Sequence, residues 1–235
     1  MGIKDILYPK TCIVCKSHLK GEFAVDNMVC GKCWGKVKIN KPPFCHSCGR
    51  HLEKKSFAKH LCGACLKKPL HFDRAFSPYV YEGTIENLIH EFKYKNKSHL
   101  GKILSKPMIN FIKEYSLPID YIDLILPVPL SKARLREREF NQAHILSAAI
   151  AEEFNKPLLD GALERVRHTK TQTELGINQR FDNVRGSFAL KNKDIKGKNI
   201  LLVDDVLTTG ATCSEAARTL KESGANIVFA LTLAN

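Results

Sequence analysis

The stretch NILLVDDVLTTGAT, residues 199–212, decides the fold class of most of this chain. An apolar run typical of a buried strand ends in two adjacent carboxylates, Asp204 and Asp205. A short threonine-rich segment follows. The next residues, TCSEAARTLKESG, have the apolar spacing of a helix, and Gly224 marks its end. A strand, a short loop and a helix in this order are the repeating unit of an α/β domain with a mainly parallel sheet.

Strands and helices alternate in the same way through residues 71–235. Strands are predicted in AFSPYVYEG, YIDLILPVP, ALERVR, SFAL and NIVFALTLA. Helices are predicted in TIENLIHEFKYKNK, in SHLGKILSKPMINFIKEY with Ser98 as N-cap and a kink or break at Pro107, and in NQAHILSAAIAEEF, which Asn141 opens. Parallel sheets bind ligands beyond the carboxyl ends of their strands, so residues 204–212 should lie at such a site.

Three common ligand sites do not fit residues 199–212. A Walker-type ATPase needs a glycine-rich loop with Lys followed by Ser or Thr, and a dinucleotide site needs GxGxxG after a strand; the sequence has neither motif. A response regulator can begin with a similar apolar–Asp–Asp run, but it needs most of a domain after it, which residues 213–235 do not supply.

The chemistry of residues 204–212 indicates a sugar phosphate. Consecutive backbone N–H groups from Thr208 to Thr212, together with a helix N-terminus, can bind a phosphate. The two carboxylates before them accept hydrogen bonds from a vicinal diol, or approach a Mg²⁺ ion that the diol also binds. A phosphate and two hydroxyls on one small molecule describe ribose 5-phosphate. Thr212 and Glu215 also match a capping box, so the Thr212 hydroxyl contacts either the ligand or the helix end.

Eight of the nine cysteines form four CxxC pairs within residues 1–70. Two such pairs supply the four thiolates of a tetrahedral zinc site, and the nearly equal intervals between pairs predict two structural zinc ribbons. Apolar residues are scattered there, which indicates that zinc replaces a hydrophobic core. The first pair then joins the second and the third joins the fourth, with an interleaved cross-brace as the alternative. The proposed ligands are Cys12, Cys15, Cys30, Cys33, Cys45, Cys48, Cys62 and Cys65.

Positive charge is concentrated in the same segment. Residues 1–70 carry 14 Lys and Arg against 4 Asp and Glu, which is +10 of the +13 net charge of the chain. Lysines are interleaved there with Phe23, Trp34, Phe44 and Phe57. Charge that follows phosphates, and aromatic faces on which bases stack, are what single-strand binders use. The alternative is that the lysines solubilise a module whose only core is those aromatics.

No targeting or membrane segment is expected. The N-terminal MGIKDILYPK lacks the apolar core of a signal peptide, and the runs LILPVPL and NIVFALTLA are far shorter than a membrane span. A cytoplasmic protein without membrane insertion is therefore predicted, and in a reducing compartment paired cysteines favour metal over disulfides.

Residues 199–212 resemble the phosphoribosyl-pyrophosphate (PRPP) signature of type I phosphoribosyltransferases, and nearly the whole chain resembles the ComF family of competence proteins. The second resemblance is carried by the CxxC pairs and then by YEGTIENLIHEFKYKNK, LPVPLSKARLREREFNQA and KTQTELGINQRFDNVRGSFAL. It implies a double zinc ribbon over residues 1–70. Over residues 71–235 it implies a type I phosphoribosyltransferase-like parallel sheet with helices on both faces.

The resemblance also implies roles for individual residues. Asp204 and Asp205 would hold the ribose hydroxyls. The 5-phosphate would bind at Thr208, Thr209, Gly210, Ala211 and Thr212. A pyrophosphate loop would use Arg134, Arg136, Arg138, Asn141 and Gln142. A mobile hood over the ligand would use Lys170, Gln172, Arg180 and Asn183.

Three more residues bear on this site. Glu139 stands where the family usually has glycine. A residue other than glycine disfavours a positive φ, and a carboxylate would repel pyrophosphate, so both features argue against pyrophosphate binding in the usual geometry. Lys93 ends an amphipathic helix and lies either within reach of the site or on the surface. Cys213 begins the helix after the phosphate segment, and we interpret it as a small packing residue rather than a reactive thiolate.

Three functions follow. The first is a ComF-type protein that handles incoming single-stranded DNA in natural competence with proteins of the competence machinery, and binds PRPP or a related ribose phosphate with Mg²⁺. The second is a phosphoribosyltransferase that transfers the phosphoribosyl group from PRPP to an unidentified base or amine. The third is a PRPP sensor without turnover. The sequence identifies no catalytic base.

Overall fold

The structure, a computed structural model, describes residues 10–19, 27–53, 60–93, 97–167, 177–191 and 194–235. Its strands are β1 (Arg74–Phe76), β2 (Leu124–Pro127), β3 (Leu163–Arg165), β4 (Phe188–Leu190), β5 (Asn199–Val206) and β6 (Ile227–Ala234). Four of them form one parallel sheet in the order β1–β6–β5–β2. The predicted parallel α/β sheet is confirmed, with the acidic pair at the end of a central strand.

Eight α-helices lie in the described ranges, with one 3₁₀ turn at Ile119–Tyr121. They are α1 (Gly31–Trp34), α2 (Gly63–Lys67), α3 (Gly83–Phe92), α4 (Leu100–Glu114), α5 (Lys132–Arg138), α6 (Gln142–Glu153), α7 (Ile177–Val184) and α8 (Ala211–Glu222). None of these helices has both the length and the apolar character needed to cross a bilayer.

Alternate residues of β5 belong to two different hydrophobic clusters, because successive side chains of a strand point to opposite faces. Leu201 and Val203 pack in a cluster with residues of α3, α4 and α6. Ile200 and Leu202 pack in another cluster with residues of α8. Helices therefore cover both faces of the sheet, as predicted.

Helix α4 differs from its prediction at two positions. Its N-cap is His99, whose side chain makes no capping bond, so the prediction of Ser98 was wrong. Of the kink or break predicted at Pro107, the break is absent, since the helix continues through this residue. The missing N–H of a proline weakens a helix, but α4 buries Leu104 and Met108 completely in the core. Burial on this scale outweighs one lost hydrogen bond.

Strands β3 and β4 pair with each other and stand apart from the main sheet. They are antiparallel, with Leu163 opposite Leu190 and Arg165 opposite Phe188. The sequence predicted both strands but not this separate ribbon, which brings Arg165 to the cavity described below.

The two cysteine-rich ribbons pack against different faces of the sheet. Cys12, Val29 and Cys33 of the first ribbon belong to the cluster of α3, α4 and α6. Cys45, Cys48, Leu52 and Cys65 of the second belong to the cluster of α8. The sequence correctly indicated little core within residues 1–70, but it did not show that the core is shared with the rest of the chain.

Candidate functional site

A cavity of about 800 Å³ opens at the carboxyl end of β5, where parallel sheets bind ligands. Residues 204–213 line it continuously. Side chains from α3, α5, α6, β3 and α7 complete it. These further lining residues include Tyr81, Glu86, His90, Lys93, Arg134, Glu137, Arg138, Asn141, Gln142, Arg165 and Arg180.

The two carboxylates at the end of β5 are in different environments. Asp204 accepts a hydrogen bond from the Asp205 N–H at 2.8 Å. Burial, and then the neighbouring charge of Asp205, raise the pKa of Asp204 to about 7. Asp205 is buried and forms an ion pair with Lys93, with 3.0 Å between Nζ and Oδ2. Asp205 is thus ion-paired, whereas the raised pKa of Asp204 places its change of charge near neutral pH.

Lys93 belongs to the site and not to the outer surface. It follows α3 directly, and its side chain is 21% exposed within the cavity wall. Of the two interpretations of this lysine, the structure supports the one in which it reaches the pocket. Glu86 and His90 line the cavity from the same helix, two turns and one turn before Lys93 respectively.

The loop between β5 and α8 exposes backbone N–H groups to the cavity. Gly210 is the N-cap of α8, with φ +78°, a conformation that favours glycine. The N–H groups of Thr208, Thr209 and Gly210 have no acceptor in the part of the chain that the structure describes. Free N–H groups beside the N-terminus of a helix favour an anion.

Thr212 is not the N-cap of α8. The helix begins at Ala211, so Thr212 lies within the first turn. Glu215 accepts hydrogen bonds from the N–H of Gly186 at 2.6 Å and from the guanidinium of Arg218. Because Glu215 is engaged in this way, the capping-box interpretation is wrong.

Arginine side chains form a positively charged part of the cavity wall. Burial, and then the neighbouring Arg138, lower the pKa of Arg134. Burial, and then Arg134, lower the pKa of Arg165. Like charges held together away from water are costly, and an anion between them would relieve that cost. The cavity therefore combines an acidic pair with a cationic wall.

The predicted pyrophosphate residues divide into two groups. Arg134 and Arg138 line the cavity, whereas Arg136 is exposed and is not among the lining residues. Asn141 caps α6 through the N–H of Ala143 and donates to the carbonyl of Val128. Gln142 accepts from Arg138 at 3.1 Å and donates to the Phe92 carbonyl. Asn141 and Gln142 thus hold neighbouring segments together, and Gln142 also orients Arg138.

Glu139 adopts the conformation that its glycine counterpart would favour. It is the C-cap of α5 at φ +68°, and its N–H donates to the Leu135 carbonyl at 2.8 Å. Its side chain is exposed and is not among those that line the cavity. The Arg-rich segment, expected to be a loop, is largely helix α5, with Ser131 as N-cap.

The predicted hood is described only in part. Lys170 and Gln172 lie outside the described residues. Arg180, on α7, lines the cavity and donates to the Thr208 hydroxyl at 3.4 Å. Asn183, on the same helix, is not a lining residue.

Cys213 is buried and donates its S–H to Asp204 Oδ2 at 3.8 Å. Burial, and then Asp204, hold the pKa of this thiol well above its usual value. The prediction of a packing residue rather than a reactive thiolate fits this environment.

Several cavity residues were not singled out in the sequence. Tyr81, Glu86 and His90 are among them, and burial followed by Glu86 raises the pKa of Tyr81 to about 12. The i, i+4, i+7 spacing of Glu86, His90 and Lys93 marks one polar helix face and could have revealed them. No local signal points to Arg165, which the β3–β4 ribbon places.

The cysteines form two separate clusters of four, from the first and second pairs and from the third and fourth. This is the predicted sequential pairing, and it excludes the cross-brace. Within each cluster the sulfur atoms lie within 4.8 Å of one another, and none of the nine cysteines forms a disulfide.

The geometry of both clusters fits zinc. A tetrahedron with Zn–S bonds of about 2.3 Å places sulfur atoms roughly 3.8 Å apart. The Cys15 and Cys30 sulfurs are 3.7 Å apart, and those of Cys48 and Cys62 are 3.6 Å apart. The N–H groups of Cys30 and Cys62 donate to the sulfurs of Cys12 and Cys45, at 3.4 and 3.3 Å.

Comparison with known proteins finds a matching family model in each of the two parts of the chain. A double zinc ribbon domain matches residues 3–66, and a phosphoribosyl transferase domain matches residues 142–235. Competence protein F of Haemophilus influenzae is 30% identical over 217 residues, which cover 91% of each chain. DNA utilization protein YhgH of Escherichia coli strain K12 is 29% identical over 94% of each chain. Competence protein ComFC of Bacillus subtilis strain 168 is 28% identical over 91% of this chain and 89% of its own. With its sulfur clusters and its strand-end cavity, this chain belongs to the ComF family, which joins a double zinc ribbon to a phosphoribosyl transferase domain.

Proposed function

We propose that this protein binds PRPP or a related ribose phosphate in the cavity and handles single-stranded DNA in natural competence. One observation carries the ligand proposal: Asp204 and Asp205 stand directly before a loop whose N–H groups at residues 208–210 have no acceptor among the described residues, in a cavity that also contains arginines. The ribose diol suits the carboxylates, the 5-phosphate suits the loop and helix end, and a pyrophosphate suits guanidinium groups.

The carboxylates also fit a Mg²⁺ ion, which prefers oxygen ligands and keeps part of its water shell. Asp204 and Asp205 would hold the ion together with ligand oxygens, and it would neutralise charge on the pyrophosphate. Lys93 already pairs with Asp205 at 3.0 Å, so the ion and this ammonium group would compete for that carboxylate.

A calorimetric titration with PRPP and Mg²⁺ tests the ligand proposal. Asp204→Asn and Asp205→Asn should each weaken PRPP binding by at least about tenfold, because each removes a charge-assisted contact. Asp160→Asn, an exposed position outside the cavity lining, is the matched control and should bind like the unmodified protein. Equal affinity for all four proteins would remove the proposal.

The DNA part of the proposal is supported by charge and by the names of the relatives, which include two competence proteins and a DNA utilization protein. Lys32, Lys36 and Lys41 of the ribbons are exposed. Trp34 packs on Tyr79, and Phe44 packs on Phe111 and Tyr115, so these two aromatics serve the core and not base stacking. Phe23 and Phe57 lie outside the described residues.

Fluorescence anisotropy of a labelled single-stranded oligonucleotide tests DNA binding. Binding should weaken steeply with salt, and replacing Lys32, Lys36 and Lys41 by Gln should reduce the log–log salt slope by roughly 0.7 for each of these lysines that neutralises a phosphate. The matched control replaces the exposed Lys102, Lys106 and Lys113 of α4 by Gln. If both triple variants weaken binding equally, the ribbons are not the docking surface.

Transfer chemistry is the second candidate, and the cavity volume of about 800 Å³ favours it because it is at the upper end of small-molecule sites. The protein would contribute position and charge stabilisation as a nucleophile displaces pyrophosphate from C1 of the ribose. Pyrophosphate release with PRPP and a panel of bases and amines would establish it. PRPP binding without release across the panel would instead favour a sensor.

A cytoplasmic location is part of the proposal. Both sulfur clusters need reduced thiols to hold zinc, and cytoplasmic proteins keep their thiols reduced.

A further inference from the structure

Arg50, in the second ribbon, contacts the loop that follows β5. Its Nη2 donates to the carbonyl of Leu207 at 3.3 Å and also to the carbonyl of Thr208. Both carbonyls belong to the segment that carries the proposed phosphate-binding N–H groups. A zinc ribbon thus reaches the ligand site directly through one side chain.

These two contacts fix the direction of two peptide groups. In a trans peptide the C=O and the following N–H point in opposite directions. The carbonyl of Leu207 shares its peptide with the N–H of Thr208, and the carbonyl of Thr208 shares its peptide with the N–H of Thr209. Holding both carbonyls toward Arg50 therefore turns both N–H groups away from it, and Thr208 and Thr209 line the large cavity.

The second ribbon holds Arg50 firmly at its other end. The Cys45 N–H donates to the Arg50 carbonyl at 2.7 Å, within the loop that carries two of the four sulfur ligands. The Ala75 N–H of β1 donates to the Ser47 carbonyl at 2.7 Å, and the Asn235 side chain donates to the Cys48 carbonyl. Sheet, metal centre and Arg50 thus form one continuous set of contacts.

A second, small cavity of about 110 Å³ lies between the ribbon and the loop. Phe181 of α7 lines it, and Lys68 places its ammonium group 3.9 Å from the centre of the Phe181 ring. The loop at residues 207–209 is therefore bounded on one side by the second ribbon and on another by the helix of the proposed hood.

We propose that the second zinc ribbon is a structural part of the ligand site, with Arg50 as the positioning residue that presents the N–H groups of Thr208 and Thr209. This inference rests on the proposed binding of a ribose phosphate. It adds that zinc at the second cysteine cluster and a phosphate at the loop stabilise each other, whereas the first cluster has no such coupling.

Backbone order parameters from ¹⁵N relaxation at Thr208 and Thr209, in the full-length zinc-loaded protein, test the role of Arg50. In the unmodified protein both N–H groups should be rigid, with order parameters of about 0.85, and Arg50→Gln should lower both values to below about 0.6. Arg50→Lys, which keeps the charge and reaches one carbonyl, should restore part of the order. Lys102→Gln on α4 is the matched charge control. Unchanged order parameters in Arg50→Gln, or an equal fall in the control, would overturn the proposal.

The zinc content of each variant is measured beside the order parameters. If Arg50→Gln retains two zinc ions per chain, its order parameters decide alone; if it loses zinc, Arg50→Lys decides at the same two N–H groups. Cys62→Ser, in the second cluster, should then lower the order parameters of Thr208 and Thr209 more than Cys15→Ser, in the first. Equal effects of the two cysteine variants would contradict the coupling.

Ligand affinity separates this inference from the proposed function. With PRPP and Mg²⁺, Arg50→Gln should bind roughly fivefold to tenfold more weakly than the unmodified protein. If the unmodified protein does not bind PRPP, the proposed function fails, and the order parameters of Thr208 and Thr209 still decide whether Arg50 positions the loop.

Discussion

Asp204, which we propose as a ligand-binding residue, carries a cost in stability. Its pKa in the folded protein is raised to about 7 by burial and by Asp205, above the ordinary value of 3.8. The folded state therefore holds this proton more tightly than the unfolded chain does. The contribution of Asp204 to the free energy of unfolding therefore falls as the pH rises from about 4 to 7, and stays low above that range.

We therefore expect Asp204→Asn to stabilise the protein at pH 8 by about 1–3 kcal/mol and to change its stability little at pH 4. The amide keeps the shape of the carboxyl group but never ionises. Urea unfolding at both pH values, without Mg²⁺ or PRPP, measures the effect, with Asp160→Asn as the exposed control. A variant that is less stable than the unmodified protein at pH 8 would show that the Asp204 charge is favourable in the fold.

At the scale of elements, α5 ends on a residue that is costly in its conformation. Glu139 has φ +68°, which a side chain with a Cβ disfavours. Glu139→Gly should stabilise the protein by about 0.5–1 kcal/mol, and Glu139→Ala should not, because alanine keeps the Cβ. Thermal unfolding of both variants checks this. Since the side chain is outside the cavity lining, PRPP affinity should stay within about twofold; a large gain in the glycine variant would show that Glu139 opposes pyrophosphate.

The second ribbon meets β1 at a glycine. Gly49 has φ +71°, and a Cβ there would lie 2.3 Å from the carbonyl oxygen of Ala75. Gly49→Ala should therefore destabilise the protein by more than about 2 kcal/mol. Gly63, in the same ribbon, begins helix α2, and a Cβ there would have no neighbouring atom within 4 Å, so Gly63→Ala is the matched control and should be nearly neutral. Denaturant unfolding compares the two; similar losses would mean that the contact with β1 does not hold the ribbon.

Local motifs predicted most elements, and long-range contacts account for what they missed. The CxxC pairs, the run from Asn199 to Val206 and the N-cap at Asn141 depend on near neighbours in sequence, so their patterns are readable. The contact of Arg50 with Leu207 and Thr208, the position of Arg165 and the separate β3–β4 ribbon depend on how distant segments pack. No periodicity or propensity encodes such contacts.

For the whole molecule, the two ribbons complete the two cores of the sheet. Cys33 is buried in one cluster and Cys48 in the other, and the N–H and side chain of Asn40 bind the Pro78 and Ser77 carbonyls. A fragment of residues 71–235 would expose both cluster surfaces, including Phe111 and Tyr115. Truncation is thus a poor way to locate the DNA-binding surface, and lysine replacement is better.

Zinc removal should accordingly destabilise the entire protein. Structural zinc supplies roughly 10–16 kcal/mol of apparent folding free energy in finger peptides, and here its loss would also uncover the sheet. We expect a chelator to lower the thermal midpoint of the helical circular dichroism signal, which comes mainly from α3, α4, α6 and α8. An unchanged midpoint, with zinc release verified, would mean that the sheet and its helices fold independently of the ribbons.

The binding mode at the end of β5 is the central claim, and a crystal structure of the protein with PRPP and Mg²⁺ tests it most directly. The account predicts ribose hydroxyls at Asp204 and Asp205, the 5-phosphate on the N–H groups of residues 208–212, and the pyrophosphate beside Arg134. A ligand bound elsewhere, or a 5-phosphate turned away from this loop, would contradict it.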